Sequence, residues 1–123
     1  MKILITGSEG LIGSALTKIL KNKNIEVISF DKKFPEGHPS YGDILDEDLM
    51  DVAINGCDGI IHLAAVSRVI WGEKDPDLCW KTNYEATSAL LESAYNSSKK
   101  PWVLYASSRE VYGNPSILPA TED

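Results

Sequence analysis

Three glycines and one aspartate near the amino terminus have the spacing of a dinucleotide site. Gly7, Gly10 and Gly13 lie between a short apolar run and a segment with apolar residues at helical spacing. The free N–H groups and the dipole at the start of such a helix attract phosphate. Asp31 ends a second apolar run about 20 residues later, where a carboxylate can hold ribose hydroxyls. The pattern therefore predicts a ligand with two phosphates and an adenosine ribose.

Each glycine has a separate role in this prediction. Gly7 permits a sharp turn, Gly10 lets a pyrophosphate approach the backbone, and Gly13 lets the helix lie close to the strand. The alternative is a glycine-rich turn in an unrelated α/β protein, with Asp31 as an ordinary turn residue. The apolar run before the glycines and the helical pattern after them favour the dinucleotide site.

The elements that must position these residues alternate between strands and helices. Their predicted order is strand Lys2–Thr6, helix Leu11–Lys21, strand Glu26–Phe30, a vestigial strand near Ser40–Tyr41, helix Leu45–Ile54, strand Asp58–Ala65, helix Asp77–Lys99 and strand Trp102–Ser107. Strands separated by helices need crossover connections, and these impose a parallel sheet. We therefore predict an α/β fold: a Rossmann-like doubly wound parallel sheet, incomplete, in three α/β/α layers, with about five strands in the order 3-2-1-4-5.

Composition limits the classes of protein and partner. The 123 residues suit one domain, and 43% of them are hydrophobic, which is enough for a core. The net charge of −6 and the lack of a basic run argue against nucleic-acid binding. No apolar stretch approaches the ~20 residues of a membrane span, and no signal-peptide pattern is present. Cys57 and Cys79 lack metal-ligand spacing, so we expect buried thiols in a reduced, cytoplasmic protein without a metal site.

Several motifs, taken in order, resemble the extended short-chain dehydrogenases/reductases. They are the glycine motif Thr6–Gly13, then Gly42-Asp43-Ile44, His62–Ala65, Asn83 with Thr87, and Ser107–Gly113. The chain is most similar to the subgroup of NAD-dependent nucleotide-sugar epimerases and dehydratases. The resemblance implies that NAD takes a hydride from a sugar hydroxyl and returns it, which gives an epimer or a dehydrated sugar nucleotide.

The resemblance also implies which residues contact the cofactor. The pyrophosphate would lie against Gly7, Gly10, Leu11, Ile12 and Gly13, and the adenosine against Asp31, Lys32, Asp43 and Ile44. The rest of the implied cofactor set is Leu63, Ala64, Ala65, Asn83 and Ser107. Ser108 is the implied catalytic residue, which would orient the reacting hydroxyl. Asp31 favours NAD because it would repel the 2′-phosphate of NADP, although Lys32 or Lys33 could neutralise that group.

Several of these residues also have a purely structural interpretation. Asp43 could be a turn residue or a helix cap, and Asn83 could bind backbone groups inside the fold. Ser107 and Ser108 could satisfy the end of their strand. His62 lies inside an apolar run, so we interpret it as a core histidine without a chemical role.

The tyrosine and lysine that transfer protons in the resembled family have no match after Ser108. Tyr95 and Lys99 have the same spacing, but their helix end should lie at the opposite edge of the sheet. We therefore expect residues 1–123 to be the amino-terminal, NAD-binding part of a longer protein. The catalytic helix and the substrate domain would lie outside it, and it would be inactive by itself.

The expected partners are NAD, a nucleotide-sugar substrate of the full-length protein, and a second copy of the chain. Self-association is expected because Trp102–Ser107 would leave an apolar strand at a sheet edge. Two alternatives for the function stay open. One is a non-catalytic dinucleotide-binding sensor or scaffold, and the other is a family reductase of another hydroxyl or carbonyl, such as a steroid-like or flavonoid-like substrate.

Overall fold

The computed structural model describes residues 1–122 and shows a parallel sheet with helices on both faces. Within those residues the strands are β1 (Lys2–Thr6), β2 (Glu26–Phe30), β3 (Gly59–His62) and β4 (Trp102–Tyr105). The α-helices are α1 (Leu11–Asn22), α2 (Glu47–Ile54), α3 (Val69–Lys74), α4 (Pro76–Trp80) and α5 (Ala86–Asn96). A π-helical turn spans Lys81–Glu85, and a 3₁₀-helix spans Arg109–Tyr112.

The strand order is β2-β1-β3-β4, and all neighbouring strands are parallel. The predicted doubly wound α/β sheet is confirmed, but the described residues form four strands rather than five. The strand that the predicted order 3-2-1-4-5 puts beside β2 is reduced to one parallel bridge between Asp31 and Tyr41. Pro35 and Pro39 lie in the loop before that bridge, and a proline has no N–H for a longer ladder.

The two faces of the sheet pack against different helices, because side chains alternate along each strand. One cluster joins α1 to the sheet and contains Ile3, Ile5, Leu16, Leu20 and Ile61. The other joins α2 and α5 to the opposite face and contains Leu4, Met50, Ile54, Ile60, Ala86, Leu90 and Ala94. Full burial of one such aliphatic side chain contributes about 1.5–3 kcal/mol, so these clusters hold the three predicted layers together.

The predicted helix Asp77–Lys99 is three consecutive helical segments. Asp75 caps α4 by accepting a hydrogen bond from the Leu78 N–H at 3.0 Å. The π-helical turn then interrupts the α-helical ladder between α4 and α5. Ser97 has extended backbone angles, φ −66° and ψ 151°, so α5 ends at Asn96 rather than at Lys99.

Two strands end earlier than the apolar runs predict. β3 ends at His62 rather than Ala65, and β4 ends at Tyr105 rather than Ser107. The apolar residues after β3 leave the sheet and line a cavity, where Leu63 and Ala64 are half-buried and Ala65 is exposed. No helix among the described residues has the length and hydropathy that crossing a bilayer requires.

Candidate functional site

A cavity of about 550 Å³ lies at the edge of the sheet where β1, β2 and β3 end. Gly7, Asp31 and Leu63 each follow the last residue of one of these strands, and all three line the cavity. The chain passes from β1 to β2 on one side and to β3 on the other, so the strand order reverses here. Doubly wound sheets bind ligands at this switch point, beyond the carboxyl ends of the strands.

Close backbone contacts shape the turn between β1 and α1. Gly7 has a φ of +70°, and a Cβ on it would lie 2.8 Å from the backbone nitrogen of Ala64. A Cβ on Gly13 would overlap the Gly7 carbonyl oxygen and lie 2.8 Å from the Cα of Ser8. The same carbonyl oxygen accepts a hydrogen bond from the Gly10 N–H at 3.0 Å. The fold itself therefore requires glycine at positions 7 and 13.

The start of α1 is open toward the cavity. Its N-cap residue, Gly10, supplies no side-chain cap, and first-turn N–H groups have no partner within a helix. Gly10 and Leu11 line the cavity, whereas Ile12 and Gly13 do not. Leu11 is 92% exposed and Ile12 is 65% exposed, so two large apolar side chains at the start of α1 face solvent. A Cβ on Gly10 would lie 3.1 Å from the Gly7 carbonyl oxygen, which is a tight contact, and would meet nothing else within 4 Å.

Asp31 joins two loops at the edge of the cavity and is only 8% exposed. Its Oδ2 accepts a hydrogen bond from the Glu9 N–H at 2.8 Å, and its Oδ1 accepts one from the Lys33 N–H at 2.9 Å. An ionised carboxylate has about four lone-pair sites, so each oxygen can accept a further hydrogen bond. Asp31 is thus a structural link and also an available acceptor.

The two lysines after β2 are engaged by groups of the same site. Lys32 Nζ lies 3.8 Å from Asp43 Oδ2, and Lys33 Nζ donates to the Glu9 carbonyl oxygen at 3.2 Å. Asp43 Oδ1 also accepts from the Leu45 N–H at 3.1 Å, as its interpretation as a turn residue predicts. Asp46 rather than Asp43 caps α2. Both lysines line the cavity with Asp43 and Ile44.

The loop after β3 forms another wall of the cavity, through Leu63, Ala64 and Ala65. Asn83 holds the end of this wall without lining it. Its Oδ1 accepts from the Val66 N–H at 2.8 Å, and its Nδ2 donates to the Val66 carbonyl oxygen at 3.1 Å. Asn83 therefore binds backbone groups, as its structural interpretation predicts. It affects the cavity by positioning the loop that borders it.

His62 is a core residue, as predicted from its apolar surroundings. It is buried between Thr6 and Thr87, with Nδ1 2.6 Å from Thr6 Oγ1 and Nε2 3.0 Å from Thr87 Oγ1. Thr6 Oγ1 already accepts from the N–H groups of Leu63 and Ala64, both at 3.3 Å. Its own proton must therefore point to Nδ1, which leaves a neutral ring with the proton on Nε2. Burial lowers the pKa of His62 to about 4.

Ser107 and Ser108 follow β4 at the same edge of the sheet but do not line the cavity. Both are exposed, and Ser108 Oγ accepts from the Glu110 N–H at 3.2 Å, which caps the 3₁₀-helix. Within residues 1–122 the Ser108 hydroxyl therefore caps the helix that follows, rather than satisfying the end of β4 as the structural interpretation predicts.

Tyr95 and Lys99 lie at the opposite edge, as predicted. Lys99 Nζ is 2.8 Å from Asp58 Oδ1, and Asp58 immediately precedes β3. The hydrogen bond from Lys99 holds the pKa of Asp58 below its ordinary value. Lys99 and Asp58 therefore form an ion pair at the amino ends of the strands, at the opposite edge of the sheet from the cavity.

The cavity also contains residues that the sequence motifs do not single out. They are Phe30, Val66, Ser67, Arg68, Trp71 and Thr82, whereas Gly42 belongs to one of the motifs. The Arg68 guanidinium carbon lies 5.0 Å from the centre of the Trp71 ring, so these two residues form one charged and aromatic wall. Their segment, at the start of α3, has no strong periodicity. Thr82 could have been found as the neighbour of Asn83 on the predicted helix.

A larger cavity, of about 650 Å³, lies between α2 and α5. Glu47, Asp51 and Glu92 line it, so its carboxylates would repel a phosphate. It also lacks the open helix start that the first cavity has. The cavity at the glycine turn is therefore the candidate nucleotide site.

Comparison with known proteins identifies the family. Residues 3–123 match the sequence profile of the NAD dependent epimerase/dehydratase family. The chain is 33% identical to a UDP-glucose 4-epimerase of Streptomyces lividans, over 98% of this chain and 40% of the relative. It is also 33% identical to UDP-glucuronic acid decarboxylase 6 of Arabidopsis thaliana, over 99% of this chain and 38% of the relative.

A similar solved structure is UDP-glucose 4-epimerase from Brucella ovis in complex with NAD. It has a TM-score of 0.86 and 27% sequence identity, over 98% of this chain and 40% of that chain. The chain therefore spans about two fifths of the length of the relatives it matches. The resemblance that the motifs predicted is confirmed, and the chain belongs to the NAD dependent epimerase/dehydratase family.

Proposed function

We propose that this chain is the NAD-binding portion of a nucleotide-sugar epimerase or dehydratase. The observation that carries the proposal is the meeting of the glycine turn, the open start of α1 and Asp31 around one cavity. The Brucella ovis epimerase, which shares this fold, was crystallised with NAD. The relatives' names, epimerase and decarboxylase, both describe chemistry on UDP-linked sugars.

The pyrophosphate of NAD would lie at the start of α1. Gly7, Gly10 and Leu11 line the cavity there, and Ile12 and Gly13 would contribute their backbone N–H groups. The exposed side chains of Leu11 and Ile12 would gain apolar cover from the bound cofactor. Apart from the Gly7 carbonyl oxygen, nothing lies within 4 Å of a Cβ on Gly10, which leaves room for a phosphate beside it.

The adenosine would lie against Asp31, Lys32, Asp43 and Ile44. The free lone pairs of Asp31 suit the ribose hydroxyls, which are hydrogen-bond donors. Lys32 pairs with Asp43 and Lys33 donates to the Glu9 carbonyl oxygen, so both ammonium groups already have partners other than the 2′-phosphate of NADP. A 2′-phosphate would meet the Asp31 carboxylate directly, which favours NAD over NADP.

When bound, NAD accepts and returns a hydride, which is the reaction that sugar epimerisation and dehydration share. Leu63, Ala64 and Ala65 would exclude water along one wall, and Asn83 would hold that wall through Val66. Ser107 would contact the cofactor and Ser108 would orient the sugar hydroxyl, from the end of β4. Among residues 1–122 no tyrosine lines the cavity, so we expect the isolated chain to bind NAD with little or no turnover. Loss of general-base catalysis alone costs about 10²–10⁴-fold.

Calorimetric titration with NAD and NADP tests the proposal. NAD should bind more tightly than NADP, and Asp31→Ala should weaken NAD binding about tenfold or more, since charge-assisted hydrogen bonds to the ribose are lost. NADP binding should change less. Because Asp31 also joins Glu9 to Lys33, thermal unfolding should be measured on the same samples.

Glu36→Ala is the matched control, since it removes an exposed carboxylate from the loop after β2. It should leave both affinities unchanged. Equal or reversed affinities of the wild-type chain for the two cofactors would refute the role of Asp31. Turnover of UDP-glucose by the isolated chain would refute the expectation that its own residues are insufficient for catalysis.

A further inference from the structure

Arg68 brings a cation without a carboxylate partner to the wall of the candidate nucleotide site. It lines the cavity together with two other cationic residues, Lys32 and Lys33. Lys32 pairs with Asp43, and Lys33 donates to the Glu9 carbonyl oxygen. Arg68 forms no ion pair within residues 1–122. Its guanidinium can therefore still take an anion from a ligand.

The Trp71 ring holds this guanidinium in place. Arg68 is the N-cap residue of α3, and its carbonyl oxygen accepts a hydrogen bond from the Trp71 N–H at 2.9 Å. The guanidinium carbon lies 5.0 Å from the centre of the Trp71 ring. An arginine that stacks on an aromatic face keeps its N–H donors free, because they lie in the plane of the group. Such a pair can bind a carboxylate through two parallel hydrogen bonds.

The charges that line the cavity are divided between its two sides. The carboxylates are those of Asp31 and Asp43, and both residues follow β2. Arg68 follows β3, which lies on the other side of β1 in the sheet. No acidic residue of the described chain lines the cavity on that side. An anion would therefore be repelled on the β2 side and attracted on the β3 side.

The position of Arg68 on the β3 side indicates which ligand it would meet. The proposed function puts the adenosine of NAD beside Asp31 and Asp43, and both phosphates at the start of α1. The nicotinamide half would then extend toward β3, and the sugar that exchanges a hydride with it must lie beside it. The anion at Arg68 would therefore belong to the second ligand, the nucleotide sugar.

We propose that Arg68, stacked on Trp71, binds a carboxylate on the sugar, so that the substrate is a nucleotide-linked uronic acid. The inference rests on the proposed function, because it needs NAD in the cavity and a sugar nucleotide beside it. The diphosphate of the sugar nucleotide offers a similar anion, and the experiment separates the two groups.

Tryptophan fluorescence of the NAD-saturated chain tests the proposal, since Trp71 belongs to the wall. The two probes are UDP-glucuronic acid and UDP-glucose, which carry a carboxylate and a hydroxymethyl group at the same carbon. UDP-glucuronic acid should bind about fivefold more tightly than UDP-glucose, which is the upper end for an ion pair that water reaches.

Three variants assign this preference to its cause. Arg68→Gln should abolish the preference, because glutamine carries no charge. Arg68→Lys should retain only part of it, because an ammonium group lacks the planar fork of donors. Lys74→Gln should retain all of it, since it removes an exposed cation of the same helix that does not line the cavity.

Three results would overturn this inference and leave the proposed function intact. The first is equal affinity of the wild-type chain for the two sugar nucleotides, or binding of neither. The second is an equal loss of affinity for both in Arg68→Gln, which would assign the arginine to the diphosphate. The third is a loss of NAD affinity in Arg68→Gln, which would assign it to the dinucleotide. Failure of the wild-type chain to bind NAD would instead overturn the proposed function and this inference with it.

Discussion

At the scale of single residues, His62 links β1, β3 and α5. Thr6 on β1, His62 on β3 and Thr87 on α5 form one hydrogen-bonded chain. The Thr6 hydroxyl also accepts hydrogen bonds from the N–H groups of Leu63 and Ala64. These two residues begin the cavity wall. The neutral state of His62 therefore supports both the sheet and the loop that borders the candidate site.

We expect the stability of the protein to depend on pH through His62. Burial lowers the pKa of His62 from 6.5 to about 4. Between those pH values the imidazole is therefore protonated in the unfolded chain and neutral in the folded chain. The free energy of unfolding is therefore fully retained above pH 6.5 and falls as the pH drops toward 4. The loss should reach roughly 3 kcal/mol.

Urea unfolding between pH 4 and pH 7 measures this effect. His62→Asn lowers stability at neutral pH but should flatten the dependence on pH, because the titrating group is gone. His38→Asn, which changes an exposed histidine, should keep the wild-type slope. Identical slopes for wild type and His62→Asn would contradict the assignment.

At the scale of elements, two glycines at the start of α1 serve different purposes: Gly13 is required by the packing of the fold, and Gly10 is proposed to make room for the ligand. A Cβ on Gly13 would meet three backbone atoms of Gly7 and Ser8, whereas a Cβ on Gly10 would meet only the Gly7 carbonyl oxygen, at 3.1 Å. The motif predicts close helix packing at Gly13 and approach of a pyrophosphate at Gly10. The closer and more numerous contacts at Gly13 agree with this difference.

Substitutions at these two glycines should therefore have different effects. Gly13→Ala should destabilise the fold by about 1–3 kcal/mol or more, because the methyl group meets backbone that cannot move aside. Gly10→Val should abolish NAD binding, because its side chain would occupy the phosphate position, and should cost less stability than Gly13→Ala, because its Cβ meets only the Gly7 carbonyl oxygen. Thermal unfolding and NAD titration of both variants measure the two effects. A Gly13→Ala chain as stable as wild type would show that the fold does not require glycine there.

Element boundaries show which parts of the fold were predictable. β1, β2 and the start of α1 agree with the prediction, because periodicity and glycine spacing are local signals. β3 was predicted too long, because an apolar run reads the same whether its residues pair in a sheet or line a cavity. The π-helical turn could not be predicted, because its side-chain contacts are with residues distant in the chain, such as Val66.

At the scale of the whole molecule, β4 leaves an apolar surface at the edge of the described sheet. Val103 packs toward the α5 side, so Trp102 and Leu104 point to the other face. There they are 46% and 52% exposed, and α1 packs over β1 and β2 instead. An exposed apolar edge strand is a template for pairing with another chain.

We expect the isolated chain to self-associate through β4. Light scattering coupled to size exclusion should show a mass above that of the monomer, increasing with concentration. Leu104→Lys should shift the population toward monomer, because a charged residue on an edge strand opposes pairing. Val52→Lys, on an exposed position of α2, should have no such effect. A clean monomer at high concentration would contradict the prediction.

Residue spacing within short stretches of chain was enough to predict the α/β class, the glycine turn before α1 and the family. The three-dimensional packing was needed to show that Asp31 also joins Glu9 to Lys33, that Asn83 holds Val66, and that Thr82 lines the cavity. Those facts depend on distances between segments remote in sequence. Such distances follow from how the helices pack on the sheet, which local periodicity does not specify.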